Sequence, residues 1–485
     1  MLNSKNEVVM KRTYFSIAIL LLGLTFASCD DELADINKNP NATENPQPAY
    51  LLSAVEYHAA NLYWGDATSY NSTLLWVQHW AKIQYTEPDC YNVTNTSFTS
   101  TWNTAYSSLL TDLSTIQQSE LANQNFRAVA QVLLAWTFLQ LTNLYGDIPY
   151  TEYAKSVTPA YDSQEDVLRG LLAELDDAQS KLQPDGGAVE GDLIFNNDIS
   201  KWKKFARSLR LRIALEIADR DVTTAGTIIT SLYNNRSSLI SSNGDNAQFK
   251  FATSPQWNPW ASAFASRDDQ RVSKTLVDKL LELNDPRLAV FAQLPQDETV
   301  SNYAGAANGL NADAANNQGF YRVSRPGSRF LADESPAVFF TYAEVLFAFA
   351  EAAARGLINA DAAALYNEGV SASFQQFGIA SAADYLKQSS VAYDASAWAE
   401  RIGWQKWIAF YGQGPDAYTD WRRLGYPKLQ PGPNSALATG EFPRRFFYPS
   451  TEQSLNGNNY HDAVAHQGAD ELTTRLWFDV ENKNR

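Results

Sequence analysis

One segment limits the possible folds more than any other. Residues 126–144 read FRAVAQVLLAWTFLQLTNL, which is apolar on nearly every side of a helix, and Gly146 follows at a position typical of a helix C-cap. A helix that is apolar all round has to be covered by protein on every side. We therefore predict a central, buried helix over residues 126–144, against which other helices pack.

Further segments also carry helical signals. Ser163 and Asp166 have the spacing of a capping box, leucines follow at helical intervals, and a Pro-Asp-Gly-Gly sequence ends the run. Ser335 followed by Pro336 is a typical helix start. The helices predicted in this way cover residues 163–182, 198–219, 337–355, 360–377 and 396–411.

These paired helices are similar to tetratricopeptide hairpins, but no regular 34-residue period is present. Two long stretches, around residues 240–270 and 295–335, are instead rich in Asn, Ser, Gly and Ala with scattered aromatics. Long ordered loops in a compact domain are often functional. We expect a mostly α fold of helix pairs, with a binding surface built on these insertions.

The N-terminus has the pattern of a lipoprotein signal peptide. Lys11 and Arg12 precede an apolar run that ends at Phe26, and the small residues Ala27 and Ser28 come directly before Cys29. The apolar run is about 13 residues, shorter than the ~20 that a membrane-spanning helix needs. We predict cleavage before Cys29 and lipidation of that cysteine. The expected organisation is a signal peptide (1–28), a lipidated flexible tether (29–48) and a single folded domain (49–485).

Several classes of function lack their sequence signals. The formal net charge of −16 argues against a nucleic-acid partner, because phosphate binding needs clustered Lys and Arg. The four histidines have no i, i+4 pair, and no nucleophile elbow, phosphate loop or dinucleotide fingerprint is present. We therefore expect no metal, no cofactor and no catalytic residue, and a free or packed thiol rather than a nucleophile at Cys90.

A pair of carboxylates could still indicate a glycosidase. Glu344 and Glu351 lie seven residues apart on one predicted helix, which corresponds to an axial separation of ~10.5 Å. Catalytic carboxylate pairs lie ~5–9.5 Å apart on the two sides of a cleft. We interpret both glutamates as buried structural residues.

Aromatic residues are abundant, with 13 Trp, 24 Tyr and 24 Phe. Sugar rings stack on aromatic faces, and their hydroxyls pair with amides, carboxylates and Arg, so aromatics in loops are the best candidates for ligand contact. Tryptophans at helical spacing are expected in the core: Trp102, Trp136, Trp202, Trp404 and Trp407. The predicted ligand-binding residues are Trp64, Asp66, Tyr70, Trp257, Asn258, Trp260, Arg267 and Tyr303.

Several short motifs, in this order, resemble those of the SusD/RagB nutrient-binding lipoproteins of Bacteroidetes. They are the segments 35–41, 143–150, 285–287, 342–344 with 350–352, 404–407 with 421–423, and 443–449, and they extend over the whole mature chain. The resemblance implies four tetratricopeptide-like helix pairs, a loop-rich ligand-binding lobe and no catalysis. It also implies a TonB-dependent, SusC-like transporter barrel as partner, over which the lipoprotein sits as a lid.

The same resemblance implies anchoring in the outer membrane, and the acidic residues after Cys29 resemble a signal for exposure on the cell surface. The ligand is a glycan or, in some family members, an oligopeptide. Two alternatives of other classes stay open at this point: a surface-anchored glycoside hydrolase and an adaptor that binds only proteins.

Overall fold

The structure is a computed structural model that describes residues 46–481. The predicted signal peptide, the predicted lipidation site at Cys29 and most of the predicted tether lie outside the described residues. Residues from Gln47 onward form one compact unit. Within residues 46–481, no helix is both long enough and apolar enough to span a membrane.

Helices account for most of the described chain, as the sequence predicts. The α-helices are α1 (Pro48–Trp64), α2 (Leu74–Trp76), α3 (Thr99–Asn103), α4 (Thr111–Gln118), α5 (Gln124–Tyr145), α6 (Gln164–Lys181), α7 (Ile199–Ile217), α8 (Val222–Asn234), α9 (Pro259–Ser266), α10 (Lys274–Glu282), α11 (Leu288–Phe291), α12 (Ala312–Asn317), α13 (Tyr342–Ala354), α14 (Ala362–Gln376), α15 (Trp398–Ala409), α16 (Gly414–Leu424), α17 (Ser450–Leu455) and α18 (Gly457–Gln467). Two π-helices, Asp66–Thr73 and Thr104–Leu110, and five 3-10 turns, Asn95–Phe98, Arg236–Ser238, Asn243–Asp245, Tyr385–Lys387 and Ala395–Ala397, complete the helical part.

The predicted central helix is confirmed as α5, in which every residue from Val132 to Tyr145 is buried. The Asn123 side chain caps its start by accepting a hydrogen bond of 3.0 Å from the backbone N–H of Phe126. Gly146 ends it with a φ of 89°, a conformation that favours glycine. Helix α5 packs on α6, α6 on α7 and α7 on α8, so consecutive helices build one layered bundle.

The predicted helix over 337–355 is wrong at its N-terminal end. Residues Ala337–Phe340 form strand β4, and α13 begins only at Tyr342, where Thr341 Oγ1 accepts a 3.2 Å hydrogen bond from the backbone N–H of Glu344. The sequence Ala-Val-Phe-Phe is rich in residues that favour strands, and its partner strand, β2 (Ala247–Phe249), lies in the distant insertion. Sequence spacing gives no sign of such a long-range partner.

Two small antiparallel sheets connect the insertions to the bundle. Strand β2 (Ala247–Phe249) pairs with β4, and β1 (Trp80–Lys82) pairs with β3 (Gln270–Val272). In the second sheet Lys82 lies directly opposite Gln270. The β1–β3 pair thus fixes the position of the 240–270 insertion next to the segment that follows α1.

A buried ion-pair network joins α1, α7, α13 and α16. The Arg212 guanidinium donates to Glu344 over 2.7 Å and to Asp416 over 3.0 Å, and all three side chains are at most 8% exposed. The Tyr63 hydroxyl donates to the other Asp416 oxygen over 2.5 Å. Each charge in this interior position therefore has a partner, as burial requires.

A second cluster of charges extends the network along α13, α15 and α16. Arg423 pairs with Glu351 over 2.5 Å and with Asp420 over 2.8 Å, and Lys406 pairs with Asp420 over 2.7 Å. Burial by itself would raise the pKa of Glu351, but Arg423 and then Arg355 hold it well below its usual range. Glu344 and Glu351 are thus both buried and ion-paired, which agrees with a structural role.

Replacing Arg212 with Met leaves Glu344 and Asp416 buried without their shared cation. We expect the free energy of unfolding to fall by about 3–5 kcal/mol at neutral pH, measured by urea denaturation. The exposed pair of Arg169 and Glu165 offers a control, because Arg169→Met is expected to cost less than about 1 kcal/mol.

The pH dependence of the Arg212→Met variant provides a second readout. Burial already raises the pKa of Glu344 and Arg212 counteracts this effect, so the variant raises that pKa further. A carboxyl whose pKa is higher in the folded state than in the unfolded state destabilises the fold. This effect grows as the pH rises from the unfolded-state pKa through the folded-state pKa. The variant should therefore lose less unfolding free energy, relative to the unmodified protein, at about pH 5 than at about pH 7.5. An equal deficit at both pH values would contradict the role given to Arg212.

Candidate functional site

An open cleft of about 400 Å³ lies where the 240–270 insertion meets the segment after α1. Three elements form its walls: the π-helix Asp66–Thr73, the loop after β1 and the C-terminal end of α9. We call it the Tyr85 cleft, and its lining residues are Asp66, Tyr70, Asn71, Lys82, Tyr85, Glu87, Pro88, Ala263, Ser266, Arg267, Asp269 and Gln270.

Tyr85 presents an aromatic ring at the mouth of the cleft. Its side chain is 58% exposed, and its backbone φ of 51° lies in the left-handed region that tyrosine rarely adopts. The Arg267 guanidinium lies over the ring, 3.7 Å from its centroid, and is itself paired with Asp269 over 3.1 Å. Arg267 therefore fixes an exposed aromatic ring that the core does not cover.

Polar side chains form the floor of the cleft. Asn71 Oδ1 accepts hydrogen bonds of 3.1 Å from Lys82 Nζ and of 3.1 Å from Gln270 Nε2. The Lys82 side chain is only 3% exposed, and burial lowers its pKa, an effect that Asp269 at 3.8 Å partly offsets. The β1–β3 pairing thus sets a cation and an amide side by side in the lining of the cleft.

Asp66 and Tyr70 come from the π-helix on the opposite wall. Asp66 is exposed and accepts a short hydrogen bond from the Asn71 side chain. Tyr70 is half-buried, and burial followed by the charge of Asp66 raises the pKa of its hydroxyl, so the hydroxyl stays protonated. The π-helix has one non-helical residue, Asn71, which lies where the wall meets the floor.

This arrangement can bind a ligand that combines an apolar face with many hydroxyls. The ring of Tyr85 offers a stacking surface, and the exposed side chains of Asp66, Glu87 and Arg267 offer donors and acceptors around it. Within residues 46–481, no cluster of three or more His, Cys, Asp or Glu side chains has a geometry that would hold a metal ion.

Three of the eight predicted ligand-binding residues line the Tyr85 cleft: Asp66, Tyr70 and Arg267. Trp257 and Tyr303 are half-buried in the insertions and do not line this cleft. The three residues that line the cleft stay predictions of ligand contact, and the structure adds that they lie together.

The prediction of surface positions is wrong for three of these residues. Asn258, Trp260 and Trp64 lie in the interior, with exposed fractions of 0%, 0% and 2%. Asn258 caps α9, since its side chain accepts a 2.7 Å hydrogen bond from the backbone N–H of Trp260. Trp260 stacks on Trp64 at 4.0 Å and donates its indole N–H to the Trp64 carbonyl over 3.0 Å. Their physical role is to join α9 to the end of α1, which holds two walls of the cleft together.

Sequence reasoning missed Tyr85, Lys82 and Gln270. The preference for aromatics in loops could have found Tyr85, because it follows a short apolar segment and precedes the turn-forming Glu87-Pro88 sequence. Lys82 and Gln270 become neighbours only through the pairing of β1 with β3. Two strands of three residues each give too short a pattern to recognise.

The buried and half-buried tryptophans of one loop should differ in their contribution to stability. Trp260→Ala removes a fully buried indole and is expected to lower the free energy of unfolding by about 3–5 kcal/mol in urea titrations. Trp257→Ala, three residues away, should cost less than half as much. Equal losses in the two variants would show that Trp260 does not hold α9 to α1.

Comparison with proteins of known structure identifies the fold. A chitin-binding protein superimposes with a TM-score of 0.81 at 29% sequence identity, covering 90% of this chain and 100% of that chain. A SusD homologue from Bacteroides uniformis gives 0.80 at 26% identity, with 89% and 100% covered. A chitin-binding SusD homologue from Flavobacterium johnsoniae gives 0.79 at 23% identity, with 90% and 98% covered, which shows a shared fold.

No match is found among curated protein sequences. A family model described as SusD-like, starch-binding and associating with the outer membrane matches residues 40–449. The resemblance inferred from the motifs and the predicted helical, tetratricopeptide-like fold are both confirmed. Because this match spans most of the sequence, the chain belongs to the SusD-like family of binding proteins that associate with the outer membrane.

Proposed function

We propose that this protein is a non-catalytic receptor that captures glycans in the Tyr85 cleft and delivers them to a TonB-dependent, SusC-like transporter. The observation that carries the proposal is the exposed Tyr85 ring, held by Arg267 above a polar floor. Stacking gives affinity for the apolar face of a sugar ring, and the surrounding polar groups pair with its hydroxyls.

The relatives support a glycan as the ligand. The family model carries a starch-binding description, and a structural neighbour at 29% identity is named a chitin-binding protein. Both polymers are neutral, which suits a chain with a formal net charge of −16 better than a polyanionic polysaccharide does. An oligopeptide is the second candidate ligand, because the cleft also offers charged groups of both signs.

A glycoside hydrolase is less well supported by the cleft. Retaining and inverting glycosidases need one carboxylate as acid and another as nucleophile or base, with freedom to reach the sugar from two sides. Asp269 is instead engaged by Arg267 and Lys82, and Asp66 accepts from Asn71. Two of the three lining carboxylates, Asp66 and Asp269, thus organise the cleft, which supports binding without bond cleavage.

The cellular placement in this proposal depends on Cys29. A thioether-linked and acylated cysteine anchors a protein stably when it carries two or more chains. The tether after it would let the folded domain swing over a transporter barrel as a lid. Exposure on the cell surface would then give the Tyr85 cleft direct access to polymeric glycans.

Truncating the aromatic ring should weaken glycan binding. We expect Tyr85→Ala and Arg267→Ala to reduce affinity for a neutral oligosaccharide such as chitohexaose at least tenfold, about 1.4 kcal/mol, by isothermal titration calorimetry. Tyr50→Ala is a control on a tyrosine that is 78% exposed and outside the cleft. A parallel panel of oligopeptides compares the two ligand classes.

Unchanged glycan affinity in both cleft variants would rule out the Tyr85 cleft as the capture site. Sustained release of new reducing ends by the purified protein would replace the receptor proposal with the hydrolase.

The lipid anchor has a separate test in cells. Cys29→Ala should shift the protein from the outer-membrane fraction to soluble fractions, because one thioether-linked anchor is lost and the folded domain should not span the bilayer by itself. A Cys90→Ala variant serves as the matched control for cysteine replacement. Retention of the Cys29→Ala protein in washed membranes that lack the transporter would contradict a lipid anchor at this position.

A further inference from the structure

An open pocket of about 390 Å³ lies at the C-terminal end of α16. Helix α16 is followed by Gly425, whose φ of 78° lets the chain turn so that residues 426–430 form one wall of the pocket. Two later segments, which contain Arg444 and Arg475, form the other walls. Among the described residues, this pocket and the Tyr85 cleft share no lining residue. We call it the Arg444 pocket.

The charge of this lining is opposite to the charge of the whole chain. Four lining residues are cations: Arg422, Lys428, Arg444 and Arg475. Within residues 46–481 these four adjoin two carboxylates, the lining residue Glu481 and the buried Asp479, so two positive charges remain in excess. The chain as a whole has a formal net charge of −16. A local excess of positive charge attracts anions to this pocket.

One buried carboxylate fixes two of the four cations. Asp479 is 0% exposed and accepts from Arg444 Nη1 over 3.2 Å and from Arg475 Nη1 over 3.0 Å. The two guanidinium groups are therefore held next to each other. Because they share this carboxylate, it balances only half of their combined charge. The fold thus prepares a pair of neighbouring cations before any ligand arrives.

Both guanidinium groups reach the solvent. The side chain of Arg444 is 21% exposed and that of Arg475 is 36% exposed. A guanidinium carries five N–H donors, of which Asp479 occupies only some, and it binds carboxylate or phosphate oxygens through two parallel hydrogen bonds. Lys428, an exposed lining residue 4.2 Å from the centroid of the Tyr426 ring, adds a third accessible cation.

Arg422 has a different role, because its donors are already used. It is buried, and its guanidinium donates to the backbone carbonyls of Arg444 and Asn143, over 2.6 Å in each case. It therefore adds positive charge to the pocket and fixes the backbone at Arg444. Direct contact with a ligand falls to the three exposed or half-buried cations.

The remaining lining and the volume indicate more than a site for a bare ion. The guanidinium of Arg444 lies 5.0 Å from the centroid of the Trp421 ring, and Phe442 packs edge-on against the same ring at 5.0 Å. The Trp421 indole N–H donates to the Pro427 carbonyl over 3.0 Å, which fixes the ring. A volume of about 390 Å³ lies in the ~300–1,000 Å³ range of small-molecule sites, so an organic body fits beside the anionic group.

We propose that the Arg444 pocket is a second binding site, which takes a small organic molecule bearing an oxyanion group such as a carboxylate. The oxyanion pairs with Arg444 and Arg475, Lys428 adds attraction, and the organic body occupies the rest of the pocket. This inference goes beyond glycan capture and does not depend on it. The neutral glycans proposed for the Tyr85 cleft lack such a group, so the two sites take different ligands.

The test compares three probes on the purified protein by isothermal titration calorimetry at low ionic strength. Glucuronate should bind saturably, whereas glucose, which has the same ring with a neutral hydroxymethyl group, should not. Acetate carries the carboxylate without the ring and should bind about tenfold more weakly than glucuronate. Added salt should weaken glucuronate binding, because the accessible cations are screened.

Substitutions of opposite sign test the role of the charges. Arg444→Gln should lower the affinity for glucuronate about tenfold, and Lys428→Gln about threefold. Lys428 is exposed, so its replacement leaves the fold intact even if Arg444→Gln does not. Glu481→Gln should instead raise the affinity about twofold, because it removes a lining carboxylate that lies 3.8 Å from Arg475. Improved binding cannot result from poor folding.

Arg322→Gln provides the matched control. Arg322 is also an arginine paired with one aspartate, Asp297 at 2.9 Å, but it lies outside the pocket, so its replacement should leave the affinity for glucuronate unchanged. The proposal would be overturned by a lack of saturable glucuronate binding, by equal affinity for glucose or acetate, or by unchanged affinity in both Arg444→Gln and Lys428→Gln. A fall in affinity in Glu481→Gln would also overturn it.

Crossed measurements separate this site from the proposed function. Tyr85→Ala should bind glucuronate as well as the unmodified protein does, and Lys428→Gln should retain full affinity for chitohexaose. Loss of glucuronate binding in Tyr85→Ala would place the anion in the Tyr85 cleft and overturn the proposal. Glycan capture is judged only by the neutral chitohexaose and the cleft variants, so either site can fail while the other stands.

Discussion

The arrangement of this protein depends on charges that are buried inside its helical bundle. Arg212, Glu344 and Asp416 come from three different helices, and each is expensive to remove from water unless it meets its partners. That requirement fixes how α7, α13 and α16 lie against one another. Tyr63 joins α1 to the same network through Asp416, so this network also holds the helix that leads into the proposed binding region.

The proposed binding surface is built outward from that network. Trp64 follows Tyr63 directly, and its stack with Trp260 brings the 240–270 insertion against the end of α1. The β1–β3 pair then sets Lys82 opposite Gln270, and Arg267 holds the ring of Tyr85 in an exposed position. Interior tryptophans thus position a surface tyrosine. The buried indoles of Trp64 and Trp260 support the cleft from the interior and do not form its surface.

The sequence predicts the parts of the fold whose signal is local. Helix α5 and the cap of α6 at Ser163 follow from apolar spacing and from short-range capping, and both are found in the structure. Strand β4 could not be predicted because its partner lies about ninety residues earlier in the chain, and its pairing replaces the helix start expected at Ser335.

In the candidate site, too, some residues have a local sequence signal and others depend on distant parts of the chain. Asp66, Tyr70 and Arg267 could be selected because they lie in polar, aromatic-rich gaps between helices. Trp260 has a similar sequence context, yet it lies in the interior, because a small loop helix turns it onto Trp64. Which side of a loop faces solvent depends on tertiary packing and leaves no trace in residue spacing.

The most direct measurement of the central claim is a crystal structure of the protein with a neutral oligosaccharide bound. We expect a sugar ring against the Tyr85 face that lies away from Arg267, with hydroxyls within hydrogen-bonding distance of the exposed lining side chains Asp66 and Glu87. A saccharide bound elsewhere on the folded domain, with the Tyr85 cleft occupied only by water, would contradict it.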